Sequence, residues 1–573
     1  MPLKRPLHLR DEAPDQQEDA SALKRRRPCP GASSSLCAPP PSRDIISALS
    51  DELLVRIFGY MDERALLGLS PVSKRFQRIA SDSQLWRPHY YHRFILPRAH
   101  RIPGFRPRPS PTLAPSTADS PRRCSRLLLD APGVSSSGTV DQVDWKKQYK
   151  LRHNWSRGRC AVDQVPVRHV EPSPPPESQT LVKVVEGLAV TVDTDAGLRA
   201  WDLRPRKDMA QADLGLGMRP TCLAVDDQRL SEGLLGTAVG FQDGTFGIWR
   251  LHARDRTFVP RFMQTKSHFG PLVAIAYSHP YVLTATQFGF ISLYTFDQYD
   301  PDDTETEPEF VDPTQPVPDL QDALLPDPLQ LTSLKSHSTR MPLALSIRRA
   351  AASVIASIVY TFDAVGGWAI GIQDLDIHRA PNRSRPDVVS SRVAFTLPTQ
   401  TRKSATPSPM SSPTPLSGRW SNPADDTADG PIRLCYSHPY LLATLPDNCM
   451  VLHLCTSTAT SLSIAPGIRL WGHTSGISDA EITPRGKAVS VSTRGDEIRL
   501  WELEGRVGGS SVEVRPRSQD GKDHEGLRPN LWGLSGYDNL PDKKNWVGFD
   551  NEVVVVLKES GDGSESLVVY DFT

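Results

Sequence analysis

The sequence predicts a multidomain chain of two fold types: a short helical module, then an all-β domain built from repeated four-stranded units with unstructured insertions. Three observations support this. Apolar residues recur at helical spacing between Asp44 and Phe94. From about Arg159 onward, short runs alternate with period two and are separated by turn residues. Within that second region one strand signature recurs seven times, interrupted by long proline-rich or polar stretches.

Composition narrows the class. The chain has 573 residues, room for several domains. Its 66 basic and 66 acidic residues cancel, so net charge points neither to a nucleic-acid binder nor to an acid-seeking surface. The 52 prolines exceed ordinary usage and imply long unstructured segments. Eight cysteines lack C-x-x-C spacing, which argues for a reducing compartment without disulfides or a zinc site. No N-terminal apolar run suggests a signal peptide. The most apolar stretch, Ala350 to Phe362, is too short to span a membrane and reads as a buried strand. A soluble intracellular protein is expected.

Residues 1–43 are polar and Pro/Ser-rich, and are expected to be disordered. They contain the basic cluster Leu23-Lys24-Arg25-Arg26-Arg27-Pro28, of the kind read by nuclear import receptors, so the expected location is nucleus, cytoplasm or both. Residues 44–96 form the helical module. Leu53, Leu54, Ile57, Phe58 and Met61 follow Ser50 and Asp51, either of which can cap a helix. Asp62 caps a second helix with Ala65, Leu66 and Leu69. Ser70-Pro71 reads as the start of a third, with Val72, Phe76 and Ile79. Ser81 or Asp82 starts a fourth with Leu85 and Trp86. A module of about 45 residues buries too little surface to be robust alone and is expected to share apolar side chains with a partner.

The run L-S-D-E-L-L-x-x-I-F-x-Y, then L-L-x-L-x-x-V-S-K-R-F-x-x-I-A, then S-x-x-L-W resembles an F-box, with Ser50 where that family usually has proline. The resemblance implies docking on the Skp-family adaptor of cullin-RING (SCF) ubiquitin ligases. The residues expected to serve it are Leu49, Ser50, Leu53, Leu54, Ile57, Phe58, Leu66, Leu67, Leu69, Val72 and Phe76. Some of these must also build the module's own core.

Residues 97–140 read as a Pro/Arg/Ser-rich linker and 141–158 as a linker helix with Val143, Tyr149 and Leu151. Residues 159–573 contain the repeats. Their signature strands reach Trp201, Trp249, Tyr294, Gln373, His453, Trp501 and Tyr570, at intervals of about 48, 45, 79, 80, 48 and 69 residues. The long intervals shorten to the length of one four-stranded blade once insertions at 297–335, 379–429 and 505–545 are removed. AYSHPYVLTAT (Ala276 to Thr286) and CYSHPYLLATL (Cys435 to Leu445) repeat two units apart. Seven ends predict a seven-bladed β-propeller. Because open rings leave unpaired edges, a strand from about Cys160 to Val167 is expected to pair beside Ser566 to Phe572 and close it.

This half resembles the WD-repeat family, most clearly at Gly472-His473 and Trp501, where the resemblance implies a buried network of His, Ser490 or Ser492, Trp and a turn Asp. That turn acid is matched by Asp195 and Asp243 in the first two units; in the sixth its place is Gly495, with Asp496 displaced by one. Some F-box propellers read phosphorylated degrons through several arginines. Only Arg494 matches such a position, as a possible substrate-rim contact or a structural one.

No catalytic constellation, cofactor motif or metal-ligand spacing is present. The acidic stretch Asp297 to Asp327 lacks Lys and Arg and reads as a solvated loop. Thr406-Pro407 through Thr414-Pro415 offers proline-directed phosphorylation sites. The expected function is a non-catalytic SCF substrate receptor with an unknown protein substrate and no nucleic-acid or membrane partner. The alternatives are a non-ligase adaptor-bound scaffold or a WD-repeat interaction platform.

Overall fold

The structure, a computed structural model, describes residues 45–99 except 47, 143–168, 180–265 except 216, 269–297, 324–336, 340–350, 353–378 except 366, 387–400, 430–503, 510–516, 545–559 and 564–573. The tail with its basic cluster, nearly all of the 97–140 linker and the Thr406–Pro415 sites lie outside the described residues. Two compact units divide between Met61 and Asp62, inside the expected helical module.

The first unit holds α1, Asp51–Phe58, with Ser50 in an extended N-cap conformation and Asp51 and Glu52 in the first turn, where acids favour the helix dipole. The second unit begins with α2 (Glu63–Leu69), capped by Asp62 accepting from Ala65 N. Next come α3 (Lys74–Ala80) and α4 (Ser83–Tyr90), the latter capped by Asp82. The third helix starts later than expected. Ser73, not Ser70, is its cap, because the Ser73 hydroxyl accepts from Phe76 N and leaves Pro71 in the preceding turn. A π-helical turn, Tyr91–Ile95, and α5, Leu96–Ala99, extend α4. The linker helix is α6, Trp145–Arg157, opened by Asp144 and ended by Gly158 in the left-handed conformation. Among the described residues no helix is long and apolar enough to cross a membrane.

Seven antiparallel sheets follow. Blade 1 occupies residues 181–212, blade 2 220–263, blade 3 272–335, blade 4 340–400, blade 5 433–470 and blade 6 477–513. Blade 7 combines 546–571 with 159–168. Naming the strands a to d from the centre outward, all seven signature residues lie on strand c. Neighbouring a strands contact one another around the whole circuit, and Trp546–Phe549 against Leu181–Val185 completes it. Lys183 and Glu481, on the a strands of blades 1 and 6, meet at 3.7 Å. The two SHPY repeats form equivalent a–b corners in blades 3 and 5, each with a cis His-Pro bond.

Closure follows the expectation. Arg159–Arg168 is strand d of blade 7 and runs antiparallel to Glu565–Asp571, with Val162 opposite Tyr570 and Val165 opposite Leu567. Burying Val165, Val167, Leu567 and Val569 in one cluster joins sequence-distant ends by apolar area at roughly 25 cal/mol per Å².

The expected insertions were drawn too wide. Each takes in a d strand: Leu329–Lys335 of blade 3, Asp387–Phe395 of blade 4 and Ser510–Glu513 of blade 6. Outer strands have one unpaired edge and few fully buried side chains, so they lack the apolar alternation that marks inner strands. The remainder of those stretches lies outside the described residues.

In blade 6, Trp501 Nε1 donates to Ser490 Oγ at 2.8 Å, and Ser490 meets His473 Nε2 at 2.6 Å. The acid facing His473 Nδ1, at 3.4 Å, is Glu497; Asp496 instead accepts from Ser492. Burial pushes His473 down to about 4, so it is neutral. In blade 1, Trp201 Nε1 donates to Thr191 Oγ1 at 2.9 Å.

Candidate protein-interaction surfaces

In α1 the i, i+4 pair Leu54 and Phe58 is buried, while the adjacent pair Leu53 and Ile57 is exposed at 49% and 43%. One short helix therefore presents two apolar rows, one for its own core and one for something else. Leu49 is half-buried and Ser50 exposed. Exposed Ile45 and Ile46 add apolar surface to this unit that motif matching did not single out, and Tyr60, the closing tyrosine of the motif, is exposed as well. Only their exposure, which a sequence does not display, marks the two isoleucines.

In the second unit the candidate residues sort the same way. Leu66 is fully buried, Leu69 and Phe76 are half-buried, and Leu67 and Val72 are exposed. The structure thus places Leu54, Phe58 and Leu66 in the interior and offers Leu53, Ile57, Leu67 and Val72 to solvent.

What holds the exposed residues of the second unit is a chain of contacts through α6. Trp86 is buried with its Nε1 donating to Ala80 O at 2.7 Å, and its ring meets Tyr149 edge-on at 5.1 Å. Tyr149 Oη donates to Glu63 Oε1 at 2.8 Å, and Arg93 pairs with the same carboxylate at 2.9 Å while also meeting the Tyr149 hydroxyl. Burial and the Glu63 bond push Tyr149 up to about 12. Hydrogen bonds, from its own backbone first and then from Tyr149, hold Glu63 below the usual carboxylate range.

From the other side α6 grips the propeller. Asn154 Nδ2 donates to Phe572 O at 2.9 Å, and the Trp155 ring lies 4.8 Å from Phe572 under Lys487. Buried Arg152 pairs with Glu502 at 3.2 Å, and Lys147 with Glu552 at 3.5 Å. A Cβ on Gly158 would stand 2.1 Å from Glu513 O, so the turn that hands α6 to blade 7 tolerates only glycine. A cleft of about 270 Å³ remains between Tyr90, Gln148, Trp155 and the loops holding Glu186, Arg204 and Asp550. Its mixed charges and contact with α6 make it part of this junction.

These contacts put α6 on the propeller face formed by the a–b and c–d turns. Antiparallel strands send the b–c and d–a connections to the opposite face. Arg494 is there, exposed in the b–c turn of blade 6, and no second arginine stands in the described b–c turns. Among the described residues no group of His, Cys, Asp or Glu is arranged to hold a metal.

Comparison with known proteins agrees with this architecture. Residues 47–92 match the F-box-like family model, and residues 160–573 match the model of the F-box protein pof12 beta-propeller. An F-box protein of Saccharomyces cerevisiae is 22% identical over 128 residues, which are 21% of this chain and 18% of that protein. The chain therefore aligns with under a fifth of that relative. Among solved structures, that of U3-55K covers 72% of this chain and 98% of its own at 9% identity and a TM-score of 0.37. That of a mitotic checkpoint complex covers 81% and 98% at 10% identity and a TM-score of 0.36. With an F-box-like domain ahead of a matched, closed seven-bladed ring, the chain belongs to the pof12-type F-box β-propeller family.

Proposed function

We propose that this protein is the substrate-recognition subunit of an SCF-type cullin-RING ubiquitin ligase, docking a Skp-family adaptor through the F-box-like helices and presenting a protein substrate on the propeller. The observation that supports this most directly is the double character of α1, with Leu53 and Ile57 exposed beside buried Leu54 and Phe58 in an F-box-like sequence. In the second unit exposed Leu67 and Val72 and half-buried Leu69 and Phe76 are assigned the same role, as is half-buried Leu49 in the first. In this reading the protein performs no chemistry of its own. It raises the effective concentration of substrate at the transferring enzyme, which favours a rigid spacer between docking helices and propeller. The α2–α4, α6 and blade 7 contacts supply that spacer for the second unit. Nuclear entry through Leu23 to Pro28, with function in nucleus, cytoplasm or both, belongs to the same proposal.

The test is calorimetric titration of recombinant Skp-family adaptor into the full chain and into a Leu53→Asp/Ile57→Asp variant. Wild-type binding with at least a hundredfold loss in the variant is the expected result. Undiminished binding by the variant would overturn the adaptor assignment. Adaptor binding with no recruitment of a cullin would leave a scaffold in place of a ligase subunit.

A further inference from the structure

The two faces of the propeller differ in chemistry. On the b–c/d–a face, opposite α6, six large apolar side chains on blades 3 to 6 are exposed: Phe288, Met341, Val365, Leu397, Ile432 and Trp471. On the α6 face only Leu324 and Leu454 are comparably exposed among the described residues. Isolated apolar residues on a surface mean little, but several gathered at one end of one arc mark an interaction site.

Blade 4 forms the middle of the arc. Its b and c strands, Val354–Ala364 and Gly367–His378, run to 11 and 12 residues, longer than any other b–c pair. The hairpin tip carries fully exposed Val365. Behind it Phe362 packs on Phe395 at 5.4 Å, and Thr399–Gln400 pairs with Gly367 and Trp368, covering the edge of the hairpin. With that edge occupied, the blade offers side chains there instead of free backbone donors.

Charge in the described b–c turns of that face has one sign in excess, while exposed Lys335 ends strand d of blade 3 over the Phe290 ring at the same end. Exposed Asp195, Asp243, Asp447 and Asp496 stand in the b–c turns of blades 1, 2, 5 and 6, and exposed Asp363 stands beside that of blade 4. Arg494 is the one cation in the described b–c turns. Arg469, under Trp471, is paired with Asp447 at 3.0 Å. A phosphorylated segment would meet this rim with like charge, whereas Lys or Arg side chains would be complementary to it.

We infer that the face around the blade 4 hairpin, from Phe288 to Trp471, binds an unphosphorylated substrate segment that combines large apolar side chains with flanking lysine or arginine. This names the substrate class for the receptor proposed above and rests on that reading. Apolar anchors supply the desolvated centre of the contact, and the aspartates orient the basic flanks.

The test pans a displayed library of random unmodified 12-residue peptides on the full chain. Binding of recovered peptides is then measured by fluorescence anisotropy, beside versions in which a phosphoserine replaces one flanking basic residue. Recovered sequences should pair Leu, Ile, Phe or Val with Lys or Arg. A Val365→Asp/Leu397→Asp variant should bind them at least tenfold more weakly, Arg494→Ala should bind them as wild type does, and phosphoserine should weaken binding. Acidic consensus sequences, tighter phosphopeptides, or unchanged binding by the double variant would each overturn the inference. So would wild-type self-association in sedimentation that the double variant abolishes without any peptide bound, since a second copy would then occupy the face. Adaptor titration separates the two readings. Failure of adaptor binding with intact peptide binding removes the ligase assignment alone, while intact adaptor binding with no peptide preference removes this one.

Discussion

Ser490 shows how a single hydroxyl organises a blade. Its oxygen accepts from Trp501 Nε1 and hydrogen-bonds His473 Nε2, while the ring's Nδ1 faces the Glu497 carboxylate. Ser490→Ala strands two buried polar groups at once, and a stability loss of about 2–3 kcal/mol in urea titration is expected. Thr191→Ala in blade 1 strands only Trp201 and should lose less. Among the histidines that burial lowers, buried His473 and half-buried His279 shift furthest and give the fold a pH dependence. Burial, aided at His279 by nearby arginines, lowers His279 and His473 to about 4. Their unfolded forms bind protons first, so the stability they contribute is full above about pH 6.5 and is lost as pH falls toward 4. Asp479 works the other way: burial raises it to about 6 despite Arg433 at 2.5 Å, so its contribution is lost as pH rises through 6. Asp479→Asn should therefore steepen the fall in Tm between pH 6.5 and 4. His473, Ser490 and Trp501 were legible in the sequence because their spacing repeats a known pattern. The acid was not, because Glu497 reaches His473 from the residue just before strand c, past the position where sequence spacing places it.

At the scale of elements, α1 separates two kinds of apolar residue that helical periodicity alone merges. Leu54→Ala removes core volume and should cost about 2–5 kcal/mol, whereas Leu53→Asp/Ile57→Asp should leave Tm nearly unchanged; thermal unfolding distinguishes them. The candidate list was thus legible as a set, and its partition into core and surface required burial. Strands divide by the same logic. Every c strand announced itself, since both its faces pack against other blades, while three d strands were mistaken for insertion because their outer edges meet water. The α6-to-blade 7 turn is a further element with a testable limit. Gly158→Ala combines left-handed strain with a clash against Glu513 O, and a loss above about 1 kcal/mol with faster proteolysis near residue 158 is expected.

Over the whole molecule, blade count and closure were readable because repetition and edge avoidance are global constraints that no single residue has to satisfy. The division at Met61 and Asp62 was not, since nothing in the helical periodicity marks it. Closure makes strand c of blade 7 indispensable. Removing residues 565–573 leaves Arg159–Arg168 and Val553–Glu559 without their shared partner, takes Phe572 from under Trp155, and should abolish the folded ring as read by far-ultraviolet circular dichroism.

The bond from Asn154 to Phe572 joins residues 418 apart in sequence. A ribosome releases the F-box-like helices and α6 early, yet the blade that anchors α6 cannot form until residues 565–571 have left the exit tunnel. At about 5–20 residues per second, the nascent chain spends tens of seconds with its F-box-like helices outside and its ring open. During that interval strand edges and the Trp155 face are exposed together, so a paused or prematurely terminated chain is a species with unpaired edges and bare apolar surface, a target for chaperones. The order of synthesis therefore makes completion of the last strand the step that converts a sticky intermediate into a closed ring.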